Sequence, residues 1–334
     1  MKHVQSTKKG SDLPPIEGDG TIVYFCVAVH LFSRRRTLMK TIRFALPIIL
    51  ILTLVGCDEF LFILQGGGET GPITAYPLGV GNRWSYTRNV RSYNFRPLIP
   101  TATDPRINLW LYYDVEVLGE RKLPRQPGAA GDTIATAELM QIEREGIRTY
   151  PPTYLYLKQE TDGLYMHGYT GGTLGAPKPN REGARVYMFA GHCFQSVNDL
   201  LAFLTEPFGE DQPDSLMREY PPLRSIYYPL QDGVQWTFRR ESGWWRIDKR
   251  VGSMLRRSVL GRQVRYHEVR WLYDLNNNGQ WDTDISIIDQ ISDKGLVKRT
   301  IEAKDIAMTD PNGLDPIARI DIKDEFNITL LNVH

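Results

Sequence analysis

Tyr76-Pro77-Leu78-Gly79-Val80-Gly81-Asn82-Arg83-Trp84-Ser85-Tyr86-Thr87-Arg88 aligns without gaps against Tyr228-Pro229-Leu230-Gln231-Asp232-Gly233-Val234-Gln235-Trp236-Thr237-Phe238-Arg239-Arg240. The shared pattern is YPLxxGxxW(S/T)(Y/F)xR. Proline and glycine place a turn. The tryptophan and the aromatic two residues later then fall on one face of a strand, because side chains alternate with period two. Each copy reads as an opening turn plus a first strand whose aromatics pack a core. Shared positions at fixed spacing favour an internal duplication over the coincidence of two aromatic strands.

Working outward, alternating or β-branched runs follow each copy: Leu109 to Leu118, Thr133 to Glu143, Thr153 to Lys158, Arg185 to Phe189, Arg262 to Tyr273 and Leu296 to Ala303, with turn residues between them. The exception lies between the halves. Ser196 is placed to cap a helix from Val197 to about Thr205, and Pro213 to Tyr220 reads as a short second helix. The expected fold class is mainly β. It comprises two related antiparallel β lobes, curved or sandwich-like, over residues 75–190 and 223–334, joined by a helical connector over 191–222.

Upstream of the first copy, Arg34, Arg35, Arg36, Lys40 and Arg43 precede an apolar run from Phe44 to Val55. A bilayer-spanning helix needs roughly 20 apolar residues, and this shorter run contains Pro47, so it reads as a signal peptide. It ends in Leu54-Val55-Gly56-Cys57, which resembles the lipobox of bacterial lipoproteins. The resemblance implies cleavage before Cys57, acylation of its thiol and attachment to a membrane in the cell envelope, facing the periplasm or the exterior. The alternative is a buried helix that ends in Gly-Cys. Met39-Lys40 is a natural start for such a signal (39–57), so residues 1–38 read as an upstream extension from a mis-assigned start codon. Residues 58–74, with Gly66-Gly67-Gly68, read as a flexible tether. The YPLxxGxxW opening after a lipobox resembles uncharacterised bacterial lipoproteins and brings no activity with it.

Charge and cysteine use narrow the function classes. Of 40 basic and 39 acidic side chains, 8 and 3 precede residue 58, leaving 32 against 36. That mildly acidic balance supplies no basic field for nucleic acid. With Cys26 upstream and Cys57 acylated, Cys193 is the single remaining thiol, expected as a small buried residue. His192 beside it suggests a nucleophile and base, but neighbours in sequence rarely aim at each other. No HExxH, GxSxG, P-loop or paired CxxC pattern occurs.

One motif carries chemistry. Asp274-Leu275-Asn276-Asn277-Asn278-Gly279-Gln280-Trp281-Asp282-Thr283-Asp284 has the pattern DxNxNGxxD, which resembles the calcium loop of EF-hand and dockerin-type modules. Hard oxygen donors are needed on alternate residues of a tight loop. The resemblance therefore assigns Asp274, Asn276 and Asn278 as side-chain ligands, the carbonyl of Gln280, and Asp282 directly or through water, with Gly279 at the sharp turn. Position twelve is Ile285 where an acidic residue is called for, so Asp284 or Asp289 has to substitute. Strands into Tyr273 and out from Ile285 suggest a hairpin loop over 274–285 rather than an EF-hand, with affinity of about 10⁻⁴ to 10⁻³ M. The alternative is an Asx-turn-rich hairpin that binds nothing. A second acidic turn, Asp310 to Asp315, reads as an ordinary turn.

The leading expectation is thus a non-catalytic, lipid-anchored envelope protein with a binding or structural role, possible partners being another envelope protein or an apolar ligand, and a calcium-stabilised second lobe. The alternative is a carrier whose curved, aromatic-rich sheets enclose an apolar ligand. A hydrolase is the third reading.

Overall fold

Trp84, Tyr86, Arg88 and Val90 are all buried while the residues between them are half-buried, which is the signature of a strand with one face turned to an interior. They belong to β1 (Arg83–Pro97). There follow β2 (Asn108–Pro124), β3 (Thr133–Glu145), β4 (Arg148–Thr149), β5 (Thr153–Glu160), β6 (Gly163–Thr170), β7 (Val186–Phe189) and β8 (His192–Phe194). After helix α1 (Val197–Thr205) come β9 (Leu216–Tyr227), β10 (Gln235–Glu241), β11 (Trp245–Val259), β12 (Arg262–Asp274), β13 (Ile285–Ser292), β14 (Gly295–Thr309) and β15 (Pro316–Asn332). The structure is a computed structural model that describes residues 71–125, 131–170, 186–205, 216–241, 245–309 and 315–334. The signal peptide, Cys57 and most of the 58–74 tether lie outside the described residues, as does nearly all of the Asp310 to Asp315 turn.

The mainly-β expectation holds. Twelve strands form one antiparallel path, β10-β11-β12-β13-β14-β15-β1-β2-β3-β5-β6-β9, from which β4, β7 and β8 branch. The path divides at its middle into six strands from each half of the chain. The halves therefore meet edge to edge along the β1/β15 ladder, which runs from Arg83 opposite Asn332 to Pro97 opposite Ala318. The two ends of the path, β9 and β10, approach each other as well. Side chains of β10 reach β9, Trp236 Nε1 donating to the Arg224 carbonyl at 2.8 Å and Arg239 pairing with Glu219, and Lys249 Nζ of the adjacent β11 donates to the Ser225 carbonyl at 3.1 Å. The sheet thus curls into a nearly closed, barrel-like form with one laddered junction and one bridged by side chains.

The two copies of the YPLxxGxxW stretch fold alike. Gly81 N donates to the Val117 carbonyl at 2.9 Å, and Val117 N to the Asn82 carbonyl at 2.9 Å; Gly233 N donates to Val251 at 2.9 Å, and Val251 N to Val234 at 2.8 Å. Both glycines sit at positive φ, +84° and +82°, where a Cβ is strained. The tryptophans then face Val115 and Lys249 respectively across the next ladder.

Ser196 does cap α1, its Oγ accepting from Asp199 N at 3.1 Å. Val197, Leu200, Leu201 and Leu204 form the buried stripe of that helix. The expected second helix is corrected. Residues 216–220 extend along β6 as part of β9, with Arg218 opposite Gly168, because an open sheet edge offers hydrogen bonds that a capless, proline-flanked segment cannot make for itself. β8 and the start of β9 fall within the 191–222 segment, and β7 of the first half pairs with β14 of the second.

Candidate functional site

The inner face of the barrel-like sheet lines a partly open cavity of about 220 Å³. Register fixes how its wall is built. Trp84 lies opposite Val115, Val115 opposite Gln141, Val117 opposite Leu139 and Leu139 opposite Leu155. In the other half Trp236 lies opposite Lys249, Lys249 opposite Trp271, Val251 opposite Val269 and Val269 opposite Asp289. Val115, Leu139, Gln141 and Leu155 therefore correspond by position to Lys249, Val269, Trp271 and Asp289, and all eight line the cavity. Leu157, Leu164, Met166 and Ile226 extend the apolar part of the first half's wall, to which Tyr86, Arg88 and Tyr113 of the same half add polar groups. Ala202 and Thr205 of α1 also line the space, so the helix covers part of it.

The other wall carries charge. Asp289, 3% exposed, accepts at Oδ1 from Arg299 Nε (2.6 Å) and at Oδ2 from Arg299 Nη2 and Trp271 Nε1 (both 2.9 Å). Burial pushes its carboxyl up, but the charge and hydrogen bonds of Arg299, with Lys249 and Trp271, outweigh this and hold it below its ordinary value. Lys249, 5% exposed, stands 3.9 and 3.8 Å from the ring centres of Phe238 and Trp271. Burial brings its ammonium down to about 7, with Asp289 opposing the shift and Arg299 adding to it.

Beside this group, Arg88 donates to Asp324 (2.9 Å from Nε) and to Glu143 (3.1 Å from Nη1), all three being buried. Burial raises both carboxyls despite the guanidinium, with Asp324 adding to the rise at Glu143 and Glu325 to that at Asp324. Asp324 Oδ1 has no hydrogen-bond partner. Motif reasoning reaches Arg88, as the last residue of the repeated pattern, and Asp289, as a substitute ligand of the DxNxNG loop, but assigns neither to an interior charge cluster, and it does not reach Lys249, Arg299, Glu143 or Asp324. The available signal is alternation: Arg88 lies in phase with Trp84, Tyr86 and Val90, and Lys249 with Ile247 and Val251.

The DxNxNG stretch does join two antiparallel strands, leaving β12 at Asp274 and entering β13 at Ile285. Asp274 is 3% exposed, Asp282 half-buried, and Asn276, Asn278, Gln280 and Asp284 exposed. The side-chain oxygens turn onto the loop's own amides: Asp274 accepts from Asn278 N and Gly279 N (both 2.9 Å), Asn276 from Asn278 N (3.1 Å), Asn278 from Gln280 N (2.8 Å) and Asp282 from Leu275 N (2.8 Å). Burial raises the Asp282 carboxyl, and Asp274 and Asp284 add to this against the bond from Leu275. Among the described residues no group of three or more His, Cys, Asp or Glu side chains is placed to hold a metal ion, so a cation here would depend on the amide and carbonyl oxygens. Asp289, the alternative ligand, is committed to Arg299 inside the barrel.

Cys193 is corrected from a buried to an exposed thiol. In the three-residue β8, alternation turns Phe194 inward and leaves Cys193 outward. The His192 ring packs 4.8 Å from that of Phe203.

No helix among the described residues is long and apolar enough to cross a membrane. No known family model matches the sequence, and no curated protein matches it. Among solved structures, an exported protein described as having a YmcC-like fold, from Bacteroides fragilis, is similar at 8% identity and TM-score 0.30, covering 78% of this chain and all of its own. DynF from the dynemicin biosynthesis pathway of Micromonospora chersina is similar at 11% identity and TM-score 0.17, over 78% of this chain and 85% of its own. Similarities of this size carry no functional conclusion.

Proposed function

We propose that this chain is an envelope protein, anchored through an acylated Cys57, whose barrel-like sheet holds a small, largely apolar ligand. The cavity on the inner face of the sheet is the observation that carries the binding role. Its apolar wall of Val115, Leu139, Leu155 and Leu157, interrupted by a few polar groups, has the composition of a small-molecule site. This favours a carrier over a purely structural module. Equilibrium dialysis of the full-length protein against apolar molecules of about ten heavy atoms, the size a cavity of this order admits, is expected to show one saturable site. Leu155→Trp, which fills the space, abolishes it; uptake that does not saturate or ignores this substitution overturns the reading.

Anchoring is tested separately by metabolic acyl labelling and fractionation, in which Cys57→Ser is expected to lose both label and membrane association. Calcium is a further part of the proposal. The crowding of Asp274, Asp282 and Asp284 is what a cation would relieve, and each oxygen that accepts an amide keeps a lone pair for it.

A further inference from the structure

Lys249 occupies a position that the fold does not require to be charged. It faces Trp236 as Val115 faces Trp84, so the same place in the other half is filled by valine. Burying an ammonium costs stability where valine costs none, which directs attention to what the charge is for. The other cations of the cavity have counter-ions: Arg88 holds Asp324 and Glu143, and Arg299 holds Asp289. Lys249 has no carboxylate at ion-pair distance among the described residues. Its acceptor in the protein is the Ser225 carbonyl, and an ammonium has three donors. Asp289, the carboxylate whose charge acts on it, already gives both oxygens to Arg299 and Trp271.

We propose that the cavity binds a small apolar monocarboxylic acid, with its carboxylate on Lys249 Nζ and its hydrocarbon against Val115, Leu139, Leu155 and Leu157. This rests on the ligand-carrier reading and names the ligand class. A dry cavity of about 150 Å³ admits benzene, so about 220 Å³ suits an acid of roughly eight carbons. The charges balance. Arg299 and Asp289 neutralise each other, and burial of Glu143 and Asp324 around the single Arg88 favours keeping a proton there. The bound carboxylate is then matched by a protonated Lys249, flanked by Phe238 and Trp271. Because the empty cavity holds this amine largely neutral above neutral pH, binding of the anion draws a proton onto it.

The test is isothermal titration of the full-length protein at pH 8 with octanoate, 1-octanol and octylamine, each in phosphate and in Tris. Octanoate is expected to bind at one site about tenfold or more tighter than 1-octanol, with a buffer-dependent enthalpy that reports uptake of close to one proton. Lys249→Met is expected to weaken octanoate about tenfold or more and 1-octanol by clearly less, while Lys249→Arg retains octanoate. The wild-type proton uptake stands as a readout even if a variant fails to fold. Equal binding of octanoate and 1-octanol, preference for octylamine, absence of proton uptake, or full octanoate binding by folded Lys249→Met each overturns the acid assignment while leaving a cavity for neutral ligands. Binding of none of the three overturns the carrier reading itself.

Discussion

The two halves of the barrel-like sheet use the same register for opposite ends. Val115 and Leu155 put hydrocarbon on one wall of the cavity; at the corresponding places Lys249 and Asp289 put charge on the other. Folding needs an inward-facing residue at each position, and valine and leucine meet that need in the first half. The comparison separates what the architecture demands from what has been added to it. It also shows how little displacement changes a residue's role. The pattern's last arginine is Arg88 in the first copy, buried against Asp324 and Glu143, and Arg240 in the second, which is exposed. The ladder between β10 and β11 slips between Thr237 and Arg239, whereas β1 and β2 pair without a break. A one-residue shift sends the side chain to the opposite face.

The largest effect is expected where this contrast is sharpest. Arg88→Met strands two buried carboxylates and is expected to cost about 3–5 kcal/mol at neutral pH, read as the midpoint shift in urea unfolding. Arg240→Met, at the same place in the pattern, is expected to stay within about 0.5 kcal/mol of wild type. Similar losses in both would break the distinction between the two arginines.

Next comes the contrast between Lys249 and Val115, through pH. The unfolded lysine titrates near its ordinary value of 10.5 and the folded one at about 7. Between these values the unfolded chain binds more protons, so stability rises with pH from about 7 to 10, at up to about 1.4 kcal/mol per pH unit. Below about 7 both states are protonated and this contribution is flat. Lys249→Met is expected to remove the slope. Urea melts at three pH values across that interval check it, and an unchanged slope in the variant would place its origin elsewhere.

The strands, the aromatic-first turns and the Ser196 cap are legible in the sequence because each rests on local physics: alternation, proline and glycine geometry, or one side chain reaching an amide. Closure is not local. Nothing around Leu216 announces that it pairs with Thr170 across an intervening helix, and so the segment reads as helix. Interior charge is hidden for a related reason. In a solvated strand Arg88, Lys249 and Asp289 would be ordinary surface residues, and they become informative only when their neighbours in phase, such as Trp84 and Val251, are known to face inward. The exposed Cys193 shows the same dependence on phase.

A smaller effect tests whether the two opening turns are physically the same. Gly81 and Gly233 lie at nearly equal positive φ, and a Cβ at either would meet nothing within 4 Å. Alanine there costs backbone strain alone, about 1–2 kcal/mol, and the two variants are expected to agree closely in urea unfolding. A large difference would mean that the turns are stabilised by different surroundings despite matching hydrogen bonds.

The smallest effect concerns a feature that the second half has and the first lacks. β3 reaches β5 through the short β4, whereas the corresponding β12 and β13 are joined by the DxNxNG loop. Burial, with Asp274 and Asp284 adding to it, raises Asp282, and the loop's amides are already met by Asp274, Asn276, Asn278 and Asp282. The loop's amides are therefore met by its own side chains, and calcium at the proposed site would add only its mass-action contribution. With a dissociation constant near 10⁻³ M, 10 mM calcium contributes about 1.4 kcal/mol. That is expected as a small rise in melting temperature, absent with magnesium, which demands a stricter octahedral shell, and absent in Asp282→Asn. Asp282 is the informative position because it carries the crowded charge, while Asp274 also closes two backbone amides and its loss would unfold the loop for reasons unrelated to calcium. A rise that persists in Asp282→Asn would move the ion away from this loop, and no rise at all would leave it an Asx-turn hairpin.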